Sequence, residues 1–237
     1  MSIRTVRRGR PRPHRAEPLE PRLLLATVSG IVFNDADADG VKDVLGEPGV
    51  ANWTVYADLN DNGVHDASEP SDLTAAGGAY SLTVNILRPT TVQVRDVVQP
   101  TWRPTAPPDG ANAVVLLSNA ASATGVNFGN TQRALVTGTV FNDTNENGRL
   151  DIFERGLSGW TVFAANNNDG VLDSRTEPSA TTDASGDYAL DLPAGTHTIR
   201  QVTQPGWLLT APAGGAHAIS LTAGQVVSAR HFGGKLC

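Results

Sequence analysis

The sequence predicts an all-β protein: two tandem β-sandwiches preceded by a short disordered leader. Three observations carry this. Apolar and polar residues alternate in short runs, the period of half-buried strands, and no helical period is sustained anywhere. The 24 Gly and 15 Pro punctuate the chain with turns. The chain also repeats itself, since Val28-Ser29-Gly30-Ile31-Val32-Phe33-Asn34-Asp35 returns as Val136-Thr137-Gly138-Thr139-Val140-Phe141-Asn142-Asp143, a shift of 108 residues. Trp53 pairs in this way with Trp160, Trp102 with Trp207, and Asn127-Phe128-Gly129 with His231-Phe232-Gly233, so all four tryptophans fall into a tandem duplication.

Residues 1–26 form the leader. They hold seven Arg against Glu17 and Glu20 and too few apolar residues to bury a core, which predicts disorder in isolation. Leu19-Glu20-Pro21-Arg22-Leu23-Leu24-Leu25 resembles the LEPR-XLL motif found near the N-terminus of large bacterial surface and exported proteins. Arg22 lies directly before the leucines and the apolar run is short, so the stretch does not read as a standard signal peptide, and no run approaches the roughly 18 residues of a membrane span.

The first module is predicted over 27–130, with strands near 28–33, 52–58, 79–84, 90–98, 113–118 and 124–129. The second is predicted over 134–234, with strands near 135–142, 159–165, 187–192, 196–203, 217–222 and 225–233. About 100 residues with six or seven strands is the size of a sandwich whose inner faces bury the alternating apolar set. Only Asn130-Thr131-Gln132-Arg133 remains as linker, too short for free swinging, so the modules are expected to stack as a rod, the protein being a monomer.

Charge divides the chain. Beyond residue 26 it holds 22 acidic against 11 basic residues, a balance that repels nucleic acid and attracts cations. The single cysteine, Cys237, allows no intramolecular disulfide, which leaves a packed core or a metal to brace these modules.

The acidic residues are ordered. From Asp143, side-chain oxygens fall at loop positions 1, 3, 5, 9 and 12 (Asp143, Asn145, Asn147, Asp151, Glu154), with Gly148 at 6 and the Arg149 carbonyl at 7. This is the spacing of an EF-hand-type calcium loop: alternate residues of a tight curl point inward and glycine takes the left-handed turn. Asp58, Asn60, Asn62, Asp66 and Glu69 repeat it, with Val64 at 7. A third loop offers Asp35, Asp37, Asp39, Val41 and Asp43, with its glutamate, Glu47, one residue late. The fourth has Ala165 at position 1, keeps Asn167, Asp169 and Asp173, and also has a late glutamate, Glu177. Every donor is an oxygen, which suits Ca²⁺ rather than Zn²⁺ or Cu²⁺. Plain polar turns share the Asn, Asp and Gly composition, but they give no reason for carboxylates to recur at positions 9 and 12. Spacing ranks the Asp143 and Asp58 loops as complete sites and the other two as altered copies, the Ala165 loop weakest.

Val140 to Gly159, together with Thr182-Asp183-Ala184-Ser185-Gly186-Asp187-Tyr188, resembles the SdrD B-like domain, the B-type repeat of serine-aspartate-repeat adhesins and a relative of the collagen-adhesin B-type fold. The likeness extends over both halves, roughly 28–233. It implies a transthyretin-like Greek-key sandwich, calcium in the acidic loops, and a stalk or spacer role in secreted or surface-attached proteins. In the first half Ala75 replaces the hairpin aspartate, so that turn loses its side-chain cap. Some relatives are braced by a Lys-to-Asn isopeptide bond; here the only lysines are Lys42, in a polar loop, and Lys235, in the C-terminal tail.

Trp53 and Trp160 read as core residues, whereas Trp102 and Trp207 follow Gln-Pro and are the candidates for stacking on a sugar. The five His are dispersed and form no triad or zinc spacing, and the repeats leave no room for a catalytic domain. The reading is therefore a non-enzymatic, calcium-binding structural or adhesive protein of the cell surface or extracellular space. The alternative is a calcium-dependent module for binding surface glycans or other surface proteins.

Overall fold

A computed structural model describes residues 25–237 except 117, 119 and 168. The leader expected over 1–26, with its LEPR-XLL-like motif, lies almost wholly outside the described residues. Among those described there is no helix.

The first half contains β1 (Ala26–Asn34), β2 (Thr54–Asp58), β3 (Ser71–Leu73), β4 (Ala79–Val84), β5 (Thr90–Asp96), β6 (Arg103–Ala106), β7 (Ala111–Leu116), β8 (Ser122–Ala123) and β9 (Phe128–Thr131). One sheet runs β4-β1-β9-β6, with β8 also on β1, and the facing sheet runs β3-β2-β5-β7. The second half repeats this with β10 (Ala134–Asn142), β11 (Thr161–Ala164), β12 (Ser179–Thr181), β13 (Asp187–Leu192), β14 (Gly195–Gln201), β15 (Trp207–Ala211), β16 (His217–Leu221), β17 (Val226–Val227) and β18 (Phe232–Leu236). Its sheets, β13-β10-β18-β15 with β17 on β10, and β12-β11-β14-β16, keep the same order. The chain is thus two β-sandwiches of one topology.

Alternation decides the burial. On β4 exposed and buried residues strictly alternate, placing Tyr80, Leu82 and Val84 inside; β13 does the same with Tyr188, Leu190 and Leu192. Each half has its own core. Val28, Val32, Val55, Val94 and Phe128 meet in the first, and Val136, Val140, Val162, Ile199 and Phe232 in the second. Trp53 and Trp160 are buried, as expected, and each meets the edge of its partner tryptophan at nearly a right angle.

The sequence missed four of the edge strands, β3, β6, β12 and β15. β3 and β12 have only three residues each, and β6 contains Pro104 and is half-buried throughout, so neither length nor alternation announces them. The last expected strand of each half is in fact two pieces, β8 with β9 and β17 with β18, which pair in turn with the first strand of that half.

The linker is also shorter than expected. Asn130 and Thr131 are buried inside β9, so only Gln132 and Arg133 separate the last strand of one sandwich from the first of the next. Across this joint Arg103 pairs with Asp191, the Arg133 guanidinium donates to the Asp191 carbonyl (2.7 Å), and the Gly224 N–H donates to the Gln132 carbonyl (2.9 Å). Lys235, expected in a tail, sits on β18 and its ammonium reaches Glu146 at 2.5 Å.

Candidate metal centre

Each acidic loop leaves the end of a strand: the Asp35 loop follows β1, the Asp58 loop β2, the Asp143 loop β10 and the Ala165 loop β11. The position-1 aspartates are therefore at sheet ends and buried, at 0%, 2% and 0% exposure for Asp35, Asp58 and Asp143. A buried carboxylate must be hydrogen-bonded, and here the curl of the loop supplies the donors. The N–H groups of Ala38 and Gly40 donate to Asp35 (2.7 and 2.8 Å). Asn62 and Gly63 donate to Asp58 (3.1 and 2.9 Å), and Asn147 and Gly148 to Asp143 (3.1 and 2.9 Å). The glycine at position 6 has the left-handed backbone that the spacing predicts in all four loops, with φ between 70° and 79° at Gly40, Gly63, Gly148 and Gly170.

The closing glutamate has a structural task of its own. In every loop its two oxygens accept one backbone N–H each, from positions 2 and 9. These donors are Ala36 and Asp43 for Glu47 (both 2.8 Å) and Leu59 and Asp66 for Glu69 (2.8 and 3.0 Å). They are Thr144 and Asp151 for Glu154 (2.9 and 3.1 Å) and Asn166 and Asp173 for Glu177 (2.8 and 3.0 Å). The glutamate staples the mouth of the loop. The residue-late Glu47 and Glu177 make the same two bonds as Glu69 and Glu154, so the extra residue is absorbed between position 9 and the glutamate.

The remaining donors gather at the loop tips. Asp35, Asp37 and Asp39 each offer a carboxylate oxygen, all three within 4.8 Å of one another. In the Asp58 loop the amides of Asn60 and Asn62 converge on one oxygen of Asp66 (2.8 and 3.0 Å), and in the Asp143 loop those of Asn145 and Asn147 converge on Asp151 (2.8 and 2.7 Å). Those amide bonds hold the Asp151 carboxyl below the usual range. Val41, Val64 and Arg149, assigned by the spacing to carbonyl ligation, are exposed on the same tips. The Ala165 loop is looser. Asn167 bonds Asp169 (2.9 Å), but Asp173 turns instead to the Thr176 hydroxyl (3.0 Å).

Cations of the protein itself also enter, and sequence reasoning did not find them. The Arg95 guanidinium on β5 reaches Asp58 at 2.8 Å and Asp61 at 3.3 Å. Burial pushes the Asp58 carboxyl up, but the Gly63 N–H, Arg95 and the Asn62 N–H outweigh it and leave it below the usual value. Arg95 lies 37 residues along the chain from Asp58, and only the pairing of β2 with β5 brings the two together. Among the described residues, the Asp35 loop thus brings three carboxylates together. Asp58 already has a guanidinium partner.

Trp102 and Trp207 are half-buried against the two cores, their rings 5.3 and 5.2 Å from those of Trp53 and Trp160. Sequence reasoning also passed over Asp96, whose carboxyl lies inside the first sandwich and accepts the Asn130 side-chain N–H at 2.6 Å. Burial pushes this carboxyl up to about 6.

No curated protein matches the chain. Among solved structures, the Bacillus anthracis TIE protein aligns over 90% of this chain at 12% identity and a TM-score of 0.32, and the chain spans 34% of its length. GBS52, the minor pilin of Streptococcus agalactiae, aligns over 90% of this chain and 96% of its own at 12% identity and a TM-score of 0.32. The shaft pilin spaA from Lactobacillus rhamnosus GG aligns over 90% and 98% at 12% identity and 0.32. The family model of the SdrD B-like domain matches residues 134–226, which hold β10 to β17 and both acidic loops of the second half. The second sandwich of this chain is thus similar to the SdrD B-like domain, and the first sandwich repeats the strand order and the loops of the second.

Proposed function

We propose that the chain is a structural, adhesive segment of a cell-surface or extracellular protein, without enzymatic activity, whose acidic loops bind calcium. The observation that carries the reading is the approach of three carboxylate oxygens, from Asp35, Asp37 and Asp39, to within 4.8 Å in a loop whose plan recurs four times. Like charges held so close repel one another, and a hard cation relieves this. Asp35, Asp37 and Asp39 would hold it in the Asp35 loop; Asn145, Asn147 and Asp151 would hold it in the Asp143 loop. Bound calcium would supply charge neutralisation and cross-link positions along the loop.

Ligand that binds only the folded state adds about 2.7 kcal/mol per site at 100 times Kd, a sizeable share of the roughly 5–15 kcal/mol of a typical domain. With no disulfide and a two-residue joint, stiffness is the property such a segment offers. Calorimetry of the full chain with calcium and with EDTA tests this: the melting temperature is expected to rise in calcium, and an unchanged value overturns calcium binding. Metal content of the purified protein gives the stoichiometry.

A further inference from the structure

The duplicated fold contains its own control at the break in its closing strand. Between β8 and β9, and again between β17 and β18, the ladder on the first strand is interrupted: a backbone bond remains in each gap, from the Val126 N–H to the Ser29 carbonyl and from the Arg230 N–H to the Thr137 carbonyl (both 3.1 Å), and side chains supply the bonds beside it. In the first sandwich the Ile31 N–H donates to Asn127 Oδ1 (3.1 Å), and the Asn112 side-chain N–H donates to the Asn127 carbonyl (3.1 Å). In the second, at the same register, the Thr139 N–H donates to His231 Nδ1 (3.1 Å), and His217 Nε2 bonds the His231 carbonyl (2.8 Å). The strand pairing confirms the equivalence, because Asn112 lies opposite Val94 as His217 lies opposite Ile199. Two amides have been replaced by two imidazoles with both hydrogen bonds kept.

An amide oxygen accepts at any ordinary pH. An imidazole Nδ1 accepts only while unprotonated, and as an imidazolium both ring nitrogens are donors. We propose that this His217–His231 pair is an acid-sensitive latch, present in the second sandwich alone: protonation of His231 sets an N–H against the Thr139 N–H and loosens the 228–231 segment, which then rests on the Arg230 N–H to Thr137 carbonyl bond (3.1 Å) and the Tyr188 hydroxyl on the Arg230 carbonyl (2.6 Å), while the Asn-latched first sandwich stays closed.

The surroundings of the latch fit this. Asp187 on β13 faces His231, its Oδ1 already accepting the Thr139 hydroxyl at 2.6 Å, and Asp183 in the preceding hairpin lines the same open groove of about 650 Å³. Arg230 adjoins the ring from its own segment, and His217 approaches from β16. Burial lowers the proton affinity of both imidazoles; Asp187 opposes this at His231 and Arg230 reinforces it. With the folded value below the unfolded one, the latch is intact above about 6.5 and its contribution is lost as the pH falls through the folded value.

Amide hydrogen exchange of the full chain, followed residue by residue by NMR between pH 7.5 and 5 and corrected for intrinsic rates, tests the latch. Protection at Thr139 is expected to fall about tenfold per pH unit below the folded-state value, while protection at Ile31 holds. The doubly substituted His217→Asn, His231→Asn chain should give a flat profile at both amides. Constant protection at Thr139, an equal loss at Ile31, or a persisting pH response in the double variant overturns the proposal. Imidazole ¹⁵N shifts of the unsubstituted chain at pH 7.5 give a second reading independent of the variant's folding. His231 must carry its proton on Nε2, and a proton found on Nδ1 sinks the latch.

Discussion

Arg103 of the first sandwich and Asp191 of the second form an ion pair across a joint only two residues long, both side chains largely shielded from water. The pair lies 88 residues apart in sequence, and the Arg103 Nε also donates to the Arg133 carbonyl at 3.0 Å. One guanidinium thus ties β6, the joint and β13 together. Arg103→Ala is expected to widen the distribution of angles between the sandwiches, read as residual dipolar couplings that no longer fit one rigid frame. Since charge-assisted bonds in partly shielded places contribute about 1–2 kcal/mol, each sandwich should still fold. Couplings that still fit a single frame would show that the pair does not set the geometry of the joint.

Asp96 makes the first sandwich respond to pH in the direction opposite to the latch of the second. Its carboxyl, raised by burial to about 6 from an ordinary value near 3.8, holds a proton in the fold that the unfolded chain has already lost. Stability of the first sandwich is therefore greatest below the unfolded value and falls as the pH rises toward about 6, by roughly 3 kcal/mol in all. Asp96→Asn keeps an oxygen for the Asn130 N–H and removes the buried charge. It should raise stability at pH 7 by about 1–3 kcal/mol and flatten the dependence between pH 4 and 6 in urea titrations followed by Trp fluorescence. A less stable variant at pH 7 would count against a charge buried at cost.

The glutamate staple predicts a loss that does not need metal. Glu154→Gln places an amide N–H against one of the backbone donors now bonded to the carboxylate, Thr144 or Asp151. A cost of about 1–3 kcal/mol is expected in EDTA as well as in calcium. A cost confined to calcium would make Glu154 a ligand first and a staple second.

Steric contact predicts the fourth result. Gly49 and Gly156 lie just past the first loop of each half and bridge to Phe33 and Phe141. A Cβ at Gly156 would sit 1.7 Å from the Ser185 carbonyl oxygen, and one at Gly49 would sit 1.9 Å from that of Gly77. Backbone cannot yield as a side chain can, so Gly156→Ala should cost about 2–4 kcal/mol by chemical denaturation. A neutral substitution would mean that the hairpin 183–186 moves aside.

Most of the fold was legible because burial writes itself as alternation. β4 and β13 were placed to the residue, and β1 and β10 to within two at each end, since one face of each meets a core. β3, β6, β12 and β15 were not legible: unlike the edge strands β4 and β13, they are short or half-buried along their length and show no strict alternation. In the loops, spacing identified the curl and its glycine. It could not show that Glu47, Glu69, Glu154 and Glu177 bond the backbone, nor that Arg95 reaches Asp58, because both depend on where distant segments lie. The two histidines of the latch looked dispersed in sequence for the same reason.

The staple has one more consequence. A loop closed by two hydrogen bonds from a carboxylate on a flexible stem has a hinge of adjustable reach: position 9 to the glutamate spans three residues in the Asp58 and Asp143 loops and four in the Asp35 and Ala165 loops. Insertion or deletion of one residue there leaves the flanking strands where they were. A chain that lengthens by copying itself can thus tolerate copying slips at this point of every repeat, and the mismatch is taken up in the turn, where the Glu69 and Glu154 N–H groups bond the carbonyl three residues back and the Glu177 N–H bonds the one four back, instead of in a shift of strand register.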